Sequence, residues 1–167
     1  MKKPQTLLFQ EDGRIPNSRY PVLLYRAITA EDGLSLVATL EALFERNGWP
    51  VQWRGGVLDD HHFHSTAHEV LGVYDGAATL RLGGEQGDDI EVRAGDVMVL
   101  PAGTGHCRIS ASHDFAVTAG YPREQGDWDI CRSGDNTPAV RSRIDALSKP
   151  ARDPVAGEAV GVASDWV

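Results

Sequence analysis

The chain has 167 residues, 41% of them hydrophobic, with 24 acidic against 16 basic side chains and a formal net charge of -8. That length suits one domain with a sizeable core, and the negative charge, with no basic run to reverse it locally, leaves out a nucleic-acid partner. No stretch approaches the ~18 to 20 apolar residues of a membrane span, and the opening MKKPQTLLFQEDGR lacks the apolar run of about 7 residues of a secretory signal; the expected location is the cytoplasm, where Cys107 and Cys131 stay reduced.

The first residues, through RIPNSRYPVLLYRA, read as a polar arm entering a short strand at Val22 to Arg26, with Pro16 and Pro21 holding the backbone extended before it. The next stretch, TAEDGLSLVATLEALFERNGW, places Leu36, Leu40, Leu43 and Phe44 at helical spacing, with Thr29 as the expected N-cap and Gly48 just past the end. Gly33 weakens only its first turn. From residue 51 to about 121 the pattern changes to short runs separated by glycines: VQWRGGVL, HEVLGVYDG, AATLRLGG, IEVRAGDVMVLPAG, HCRISAS and DFAVTAGY. Their β-branched residues and frequent turn signals describe an antiparallel β-sandwich or small barrel. After Tyr121 the chain is polar and irregular apart from AVRSRIDAL, which suits a short helix, and DPVAGEAVGVASDWV shows no periodicity. There is no internal repeat. The expected organisation is one domain over 1–167: a β core at about 50–122, an arm and helix at 1–49, and a covering segment at 123–167.

HHFHSTAHE, residues 61–69, holds His61, His62, His64, His68 and Glu69. In a strand, side chains two apart share a face, so His62 and His64 stand about 7 Å apart at Cα and can share one ion. An unbroken strand adds His68 to that face and turns Glu69 away. A turn at residues 65–67 resets the parity and brings Glu69 in, and the period alone does not choose between the two. The helical metalloprotease motif fails here, because Ser65 stands where it needs a glutamate directly after the first histidine. Downstream, in GDVMVLPAGTGH, Gly95 and Asp96 form a tight turn, Val97 and Val99 alternate, and Pro101, Gly103 and Gly105 bend the chain to deliver His106.

Together these two segments resemble the paired motifs of the cupin superfamily. Gly56, His62, His64, Glu69 and Gly76 meet the spacing of the first motif, and Gly95, Pro101, Gly103 and His106 that of the second, with Ser110 where the family often has asparagine. The motifs cover about residues 50–122; NGW, STAHEVLGV and DPVAGE are further similar to a group of small bacterial cupins of unassigned role. The resemblance implies an all-β, cupin-type jelly-roll β-barrel, here with one N-terminal helix and irregular terminal arms. It also implies that His62, His64, Glu69 and His106 bind one divalent transition metal. Three imidazoles and one carboxylate suit Fe, Mn, Ni, Zn or Cu and leave coordination positions open. His68 then faces away as a surface or supporting histidine, and His61, of opposite parity to His62, is exposed or packs outside the barrel.

Asp60 shares parity with His62 and Arg108 with His106, which makes both candidate substrate contacts, the arginine for a carboxylate or phosphate. A turn acid and a rim ion pair are their structural alternatives. Cys107 has the outward parity of a small core residue. Trp49, Trp53, Tyr74, Phe115 and Trp128 read as packing residues, with Trp53 or Trp128 available to line a pocket mouth. Such a site serves a small-molecule metalloenzyme of dioxygenase or of isomerase or lyase type; the alternative is a metal- or ligand-holding sensor without turnover. A single clear helix with no helix-turn-helix partner leaves out DNA reading. The edges of a jelly roll and the extended arm make a homodimer the expected assembly. A sedimentation mass near that of one 18.1 kDa chain would exclude it.

Overall fold

Runs such as VLLY at 22–25 and VMVL at 97–100 carry apolar side chains on both faces, so the sheet that holds them must be covered on both sides. The computed structural model, which describes residues 3–167, has that cover. A six-stranded antiparallel sheet runs in the spatial order β1 (Gln5–Leu7), β2 (Val22–Tyr25), β8 (Val97–Leu100), β5 (Glu69–Asp75), β10 (Ala116–Gly120), β3 (Val51–Gly55). A five-stranded sheet packs against it in the order β11 (Cys131–Arg132), β4 (His62–Phe63), β9 (His106–Ala111), β6 (Ala77–Leu82), β7 (Asp88–Arg93). Among the described residues no ladder joins the two sheets, and the jelly roll is a two-sheet sandwich rather than a closed barrel.

Strand parity sorts the side chains. Val22, Leu24, Leu71, Val73, Met98 and Leu100 point between the sheets and meet Leu80, Leu82 and Val92. The alternate residues Leu23, Tyr25, Val70, Val97 and Val99 point the other way, onto Leu40, Leu43 and Phe44 of α1 (Leu36–Arg46). Gly72 lets α1 come close: a Cβ there would stand 2.9 Å from the Phe44 ring.

The helix starts later than its sequence pattern suggests. Ser35, not Thr29, is the N-cap, its Oγ accepting the Ala38 N–H at 3.2 Å, because Gly33 at φ 80° turns the chain just before it. The N-terminal arm is likewise more ordered than a polar stretch predicts, since Gln5–Leu7 pairs with Val22–Leu24 as an edge strand.

The tail contributes to the core rather than merely covering it. The expected short helix forms as α2 (Pro138–Ala146), capped by the Thr137 side chain, and α3 (Val162–Asp165) follows. Val155, Val162 and Trp166 are buried with the α1 cluster. Between them Asp153, fully buried, accepts the backbone N–H groups of Val155, Ala156 and Val162 at 2.7, 2.8 and 3.0 Å. Trp166 stacks on Tyr20 at 5.2 Å and donates its indole N–H to the Pro21 carbonyl at 2.9 Å. Among the described residues no helix is long and apolar enough to cross a membrane. Trp166→Ala is expected to cost about 3–5 kcal/mol, as for a large buried aromatic, read as a shift of the urea midpoint; a loss below about 1 kcal/mol would make the tail a detachable cover.

Candidate metal centre

β4 belongs to the five-stranded sheet and β5 to the six-stranded one, so the chain changes sheets between His64 and Glu69. That crossing breaks the strand and resets its parity. His62 pairs in register with His106 of β9, His64 follows the end of β4, and Glu69 opens β5 opposite Leu100. Asp129 clasps the turn: its carboxylate accepts the N–H of Ser65 at 2.7 Å, the N–H of Thr66 at 3.2 Å and the Ser65 hydroxyl. His106 is delivered by Gly103, at φ 92°, where a Cβ would lie 2.5 Å from the Asn17 carbonyl oxygen.

The three histidines share one tautomer. Nδ1 of His62 lies 2.9 Å from the Asp60 carbonyl and Nδ1 of His106 3.0 Å from the Thr104 carbonyl, while Nδ1 of His64 meets the Asp129 carbonyl. A carbonyl only accepts, so each ring holds a proton on Nδ1 and keeps Nε2 for a cation. Nε2 of His64 lies 3.1 Å from Glu69 Oε2, and Nε2 of His106 lies 3.4 Å from Glu69 Oε1. One ligand atom from each of His64, Glu69 and His106 falls within 4.8 Å of the others. His62 stands beside this trio, its ring 4.1 Å from that of His106 and 6.2 Å from that of His64.

All four side chains are buried, and burial opposes charge on His62, His64 and Glu69. It drives the His62 pKa down to about 3, with His106 adding to the effect. Burial alone would raise the Glu69 carboxyl, but the imidazoles of His64 and His106 outweigh it and hold the group below the ordinary carboxylate range. Burial lowers the affinity of His64 for a proton, and Glu69 more than reverses this. Proton and metal therefore compete for the same Nε2. Glu69 Oε1 is buried with no hydrogen-bond partner, an orphan that a cation would satisfy. The donor set, its tautomers and this orphan fit a first-row divalent ion.

Tyr121, absent from the residues singled out by sequence, completes the group. Its hydroxyl donates to Glu69 Oε2 at 2.6 Å and accepts the Trp53 indole N–H at 2.8 Å. Burial, then the Glu69 charge, pushes its pKa up, so it stays protonated. The parity of β10 already pointed to it, because Val117 and Ala119 face the core and Tyr121 is next in step. Trp128 stacks on Tyr121 at 4.9 Å. The four histidine and glutamate side chains and Tyr121 border a cavity of about 210 Å³ whose other walls include Trp53, Val57, Leu58, Leu71, Trp128 and Ile130.

The remaining sequence candidates lie elsewhere. Asp60 pairs with Arg132 at 2.5 Å on the surface, and Arg108 reaches towards Asp59 at 3.9 Å with its side chain 40% exposed; neither lines the cavity. Arg108 does sit opposite the inward Leu80, as its parity implies, but its length carries the guanidinium to the rim. His68 faces away from the trio and is buried, not exposed. Its Nδ1 accepts the Ala102 N–H at 2.9 Å and its Nε2 donates to the Ser148 carbonyl at 3.3 Å, so no lone pair remains for a metal. His61 packs outside, against Glu85 at 3.2 Å and Cys107 at 3.5 Å.

Residues 52–118 match the family model of the Cupin domain. Over 168 residues, 99% of this chain and 98% of the other, the protein is 36% identical to the uncharacterized protein YjlB of Bacillus subtilis (strain 168). Among solved structures it is similar to procruciferin, an 11S globulin from Brassica napus, with 22% identity and a TM-score of 0.39 over 47% of this chain; it spans 22% of that chain's length. It is also similar to a DUF861 family protein from Thermotoga maritima, with 17% identity and a TM-score of 0.36 over 60% of this chain and 98% of that one.

Burial holds the His68 ring neutral, with its pKa lowered from 6.5 to about 4. On acidification the unfolded chain takes up that proton first, so this histidine lowers stability progressively as pH falls from 6.5 towards 4. His68→Gln is expected to remove that part of the acid slope, measured by urea midpoints across the same pH window, and to leave metal content unchanged. Metal loss in this variant would put His68 among the ligands.

Proposed function

The chain belongs to the cupin superfamily, and on that footing we propose that it is a small metalloenzyme in which His62, His64, Glu69 and His106 hold one divalent transition metal beside a small-molecule substrate. The observation that carries this reading is the shared tautomer: three buried rings tied by Nδ1–H to backbone carbonyls, with no Nε2 taken by the backbone and a carboxylate among them that has an orphan oxygen. When bound, such an ion supplies a Lewis acid, or a redox centre if it is iron, manganese or copper, and thereby serves isomerase and lyase or dioxygenase chemistry respectively.

The chain's own residues do the rest. Tyr121 holds a proton on Glu69 Oε2 and so leaves Oε1 as the oxygen turned to the ion. Trp53 fixes the Tyr121 hydroxyl from behind. Leu58, Trp128 and Ile130 line the outer part of the cavity with carbon and offer a ligand an apolar surface. We keep the homodimer within the same proposal: β1 is an edge strand with Gln5 and Thr6 exposed, open to pairing with a second copy.

Elemental analysis of protein purified without an affinity tag or chelator tests the reading, with about one metal ion per chain expected. Replacing His64 or His106 by alanine should weaken metal binding by about 10- to 100-fold or more, as removal of a direct ligand must exceed the effect of removing a supporting group. His62→Ala, a ligand beside the tight trio, should also exceed the loss of a supporting group but weaken binding less than His64→Ala or His106→Ala. No metal after reconstitution would overturn the proposal, and a loaded protein without turnover across oxygenase, isomerase and lyase assays would make it a holder or sensor.

A further inference from the structure

The groups that a ligand can meet in the cavity are few. Apart from Tyr121 and the four histidine and glutamate side chains, the walls are carbon. Both tryptophans there have spent their polar atom: the Trp53 N–H goes to Tyr121 and the Trp128 N–H to Gln52 at 2.9 Å. The nearby arginines point to other partners in this structure. Arg108 turns to Asp59, Arg132 to Asp60, and Arg143 donates to the Ser65 hydroxyl at 2.9 Å. Among the described residues no lysine or arginine borders the cavity.

Charge and size then limit the ligand. A divalent ion against the single Glu69 carboxylate leaves one net positive charge, which a monoanion cancels and a dianion exceeds. The excess charge would sit against largely apolar walls with no lysine or arginine among the lining residues to pair with it. The volume, about 210 Å³, is below the range of drug-sized sites.

Resting on the metal-binding reading above, we infer that the substrate is a compact, largely apolar molecule, neutral or singly charged, that turns its polar end to the histidine and glutamate side chains and lays its apolar body between Trp53, Trp128 and Ile130. Phosphorylated and dicarboxylate substrates are the classes it excludes. Trp128, stacked on Tyr121 and half-buried at the wall, is the specificity-determining side chain.

Calorimetric titration with three probes tests this. Tropolone is a flat monoanion with adjacent oxygens, 2-oxoglutarate is a chelating dianion, and phenol has the apolar body without the chelate. Zinc-loaded protein is expected to bind tropolone about tenfold or more tighter than 2-oxoglutarate, and Trp128→Ala to weaken tropolone by about tenfold without changing zinc content. In metal-stripped protein, phenol should bind weakly and lose that binding in Trp128→Ala. Equal or tighter binding of 2-oxoglutarate, or tropolone binding indifferent to Trp128→Ala, would overturn the inference. Zinc that fails to load while phenol still binds in a Trp128-dependent way would sink the metal reading and leave the apolar cavity standing; absence of phenol binding would sink the cavity itself.

Discussion

A chain that crosses from one sheet to another leaves backbone N–H groups without ladder partners, and between His64 and Glu69 those groups are answered by side chains from the C-terminal segment. Asp129 takes the N–H groups of Ser65 and Thr66, and Gln125 takes that of His68 at 3.0 Å. The bend that delivers His106 is locked to the same turn: Gly103 donates its N–H to the His64 carbonyl at 2.8 Å, and Ala102 donates to the His68 ring. The two histidine segments thus fix each other's geometry. Loosening either one would move both the trio and the carbonyls that set its tautomers.

Polarity is concentrated at one end of an otherwise apolar sandwich. Glu69 is the one carboxylate bordering the cavity, and it is surrounded by Tyr121, His64 and His106, each placed by a separate strand or turn. The chain of donors from Trp53 through Tyr121 to Glu69 spends every polar atom except Glu69 Oε1. A buried charge is tolerated when its partners are fixed in advance, and here they are fixed by backbone hydrogen bonds and ring stacking.

Much of this was legible in the sequence because it follows from spacing. His62, His64, Glu69 and His106 were placed by motif, and the sheet over residues 51–120 by alternation. What alternation could not decide was whether Glu69 or His68 faces inward, since that depends on where the chain changes sheets. Asp129 gave no signal at all, because its role depends on a contact with Ser65 across 64 positions. Tyr121 is legible from the step of β10 beyond Val117 and Ala119, although no metal-ligand motif includes it. Thr29 misled because a good capping residue six positions early competes with Ser35 on local grounds, and only the turn at Gly33 decides. Asp60 and Arg108 were assigned by parity, which fixes the direction of Cβ but not the destination of a long or charged side chain.

The buried position of Trp166 bears on the order in which the protein can form. The six-stranded sheet has one face against its partner sheet, and the other is closed only when α1 and the tail around Trp166 have both arrived. A ribosome releases residues in sequence, so the strands exist as a half-covered sheet until residue 166 is available. His64 waits almost as long, because the carbonyl that orients its ring belongs to Asp129. The geometry of the candidate site is therefore completed late: during synthesis the chain offers loose histidines, and the His64 tautomer is set only after Asp129 has docked.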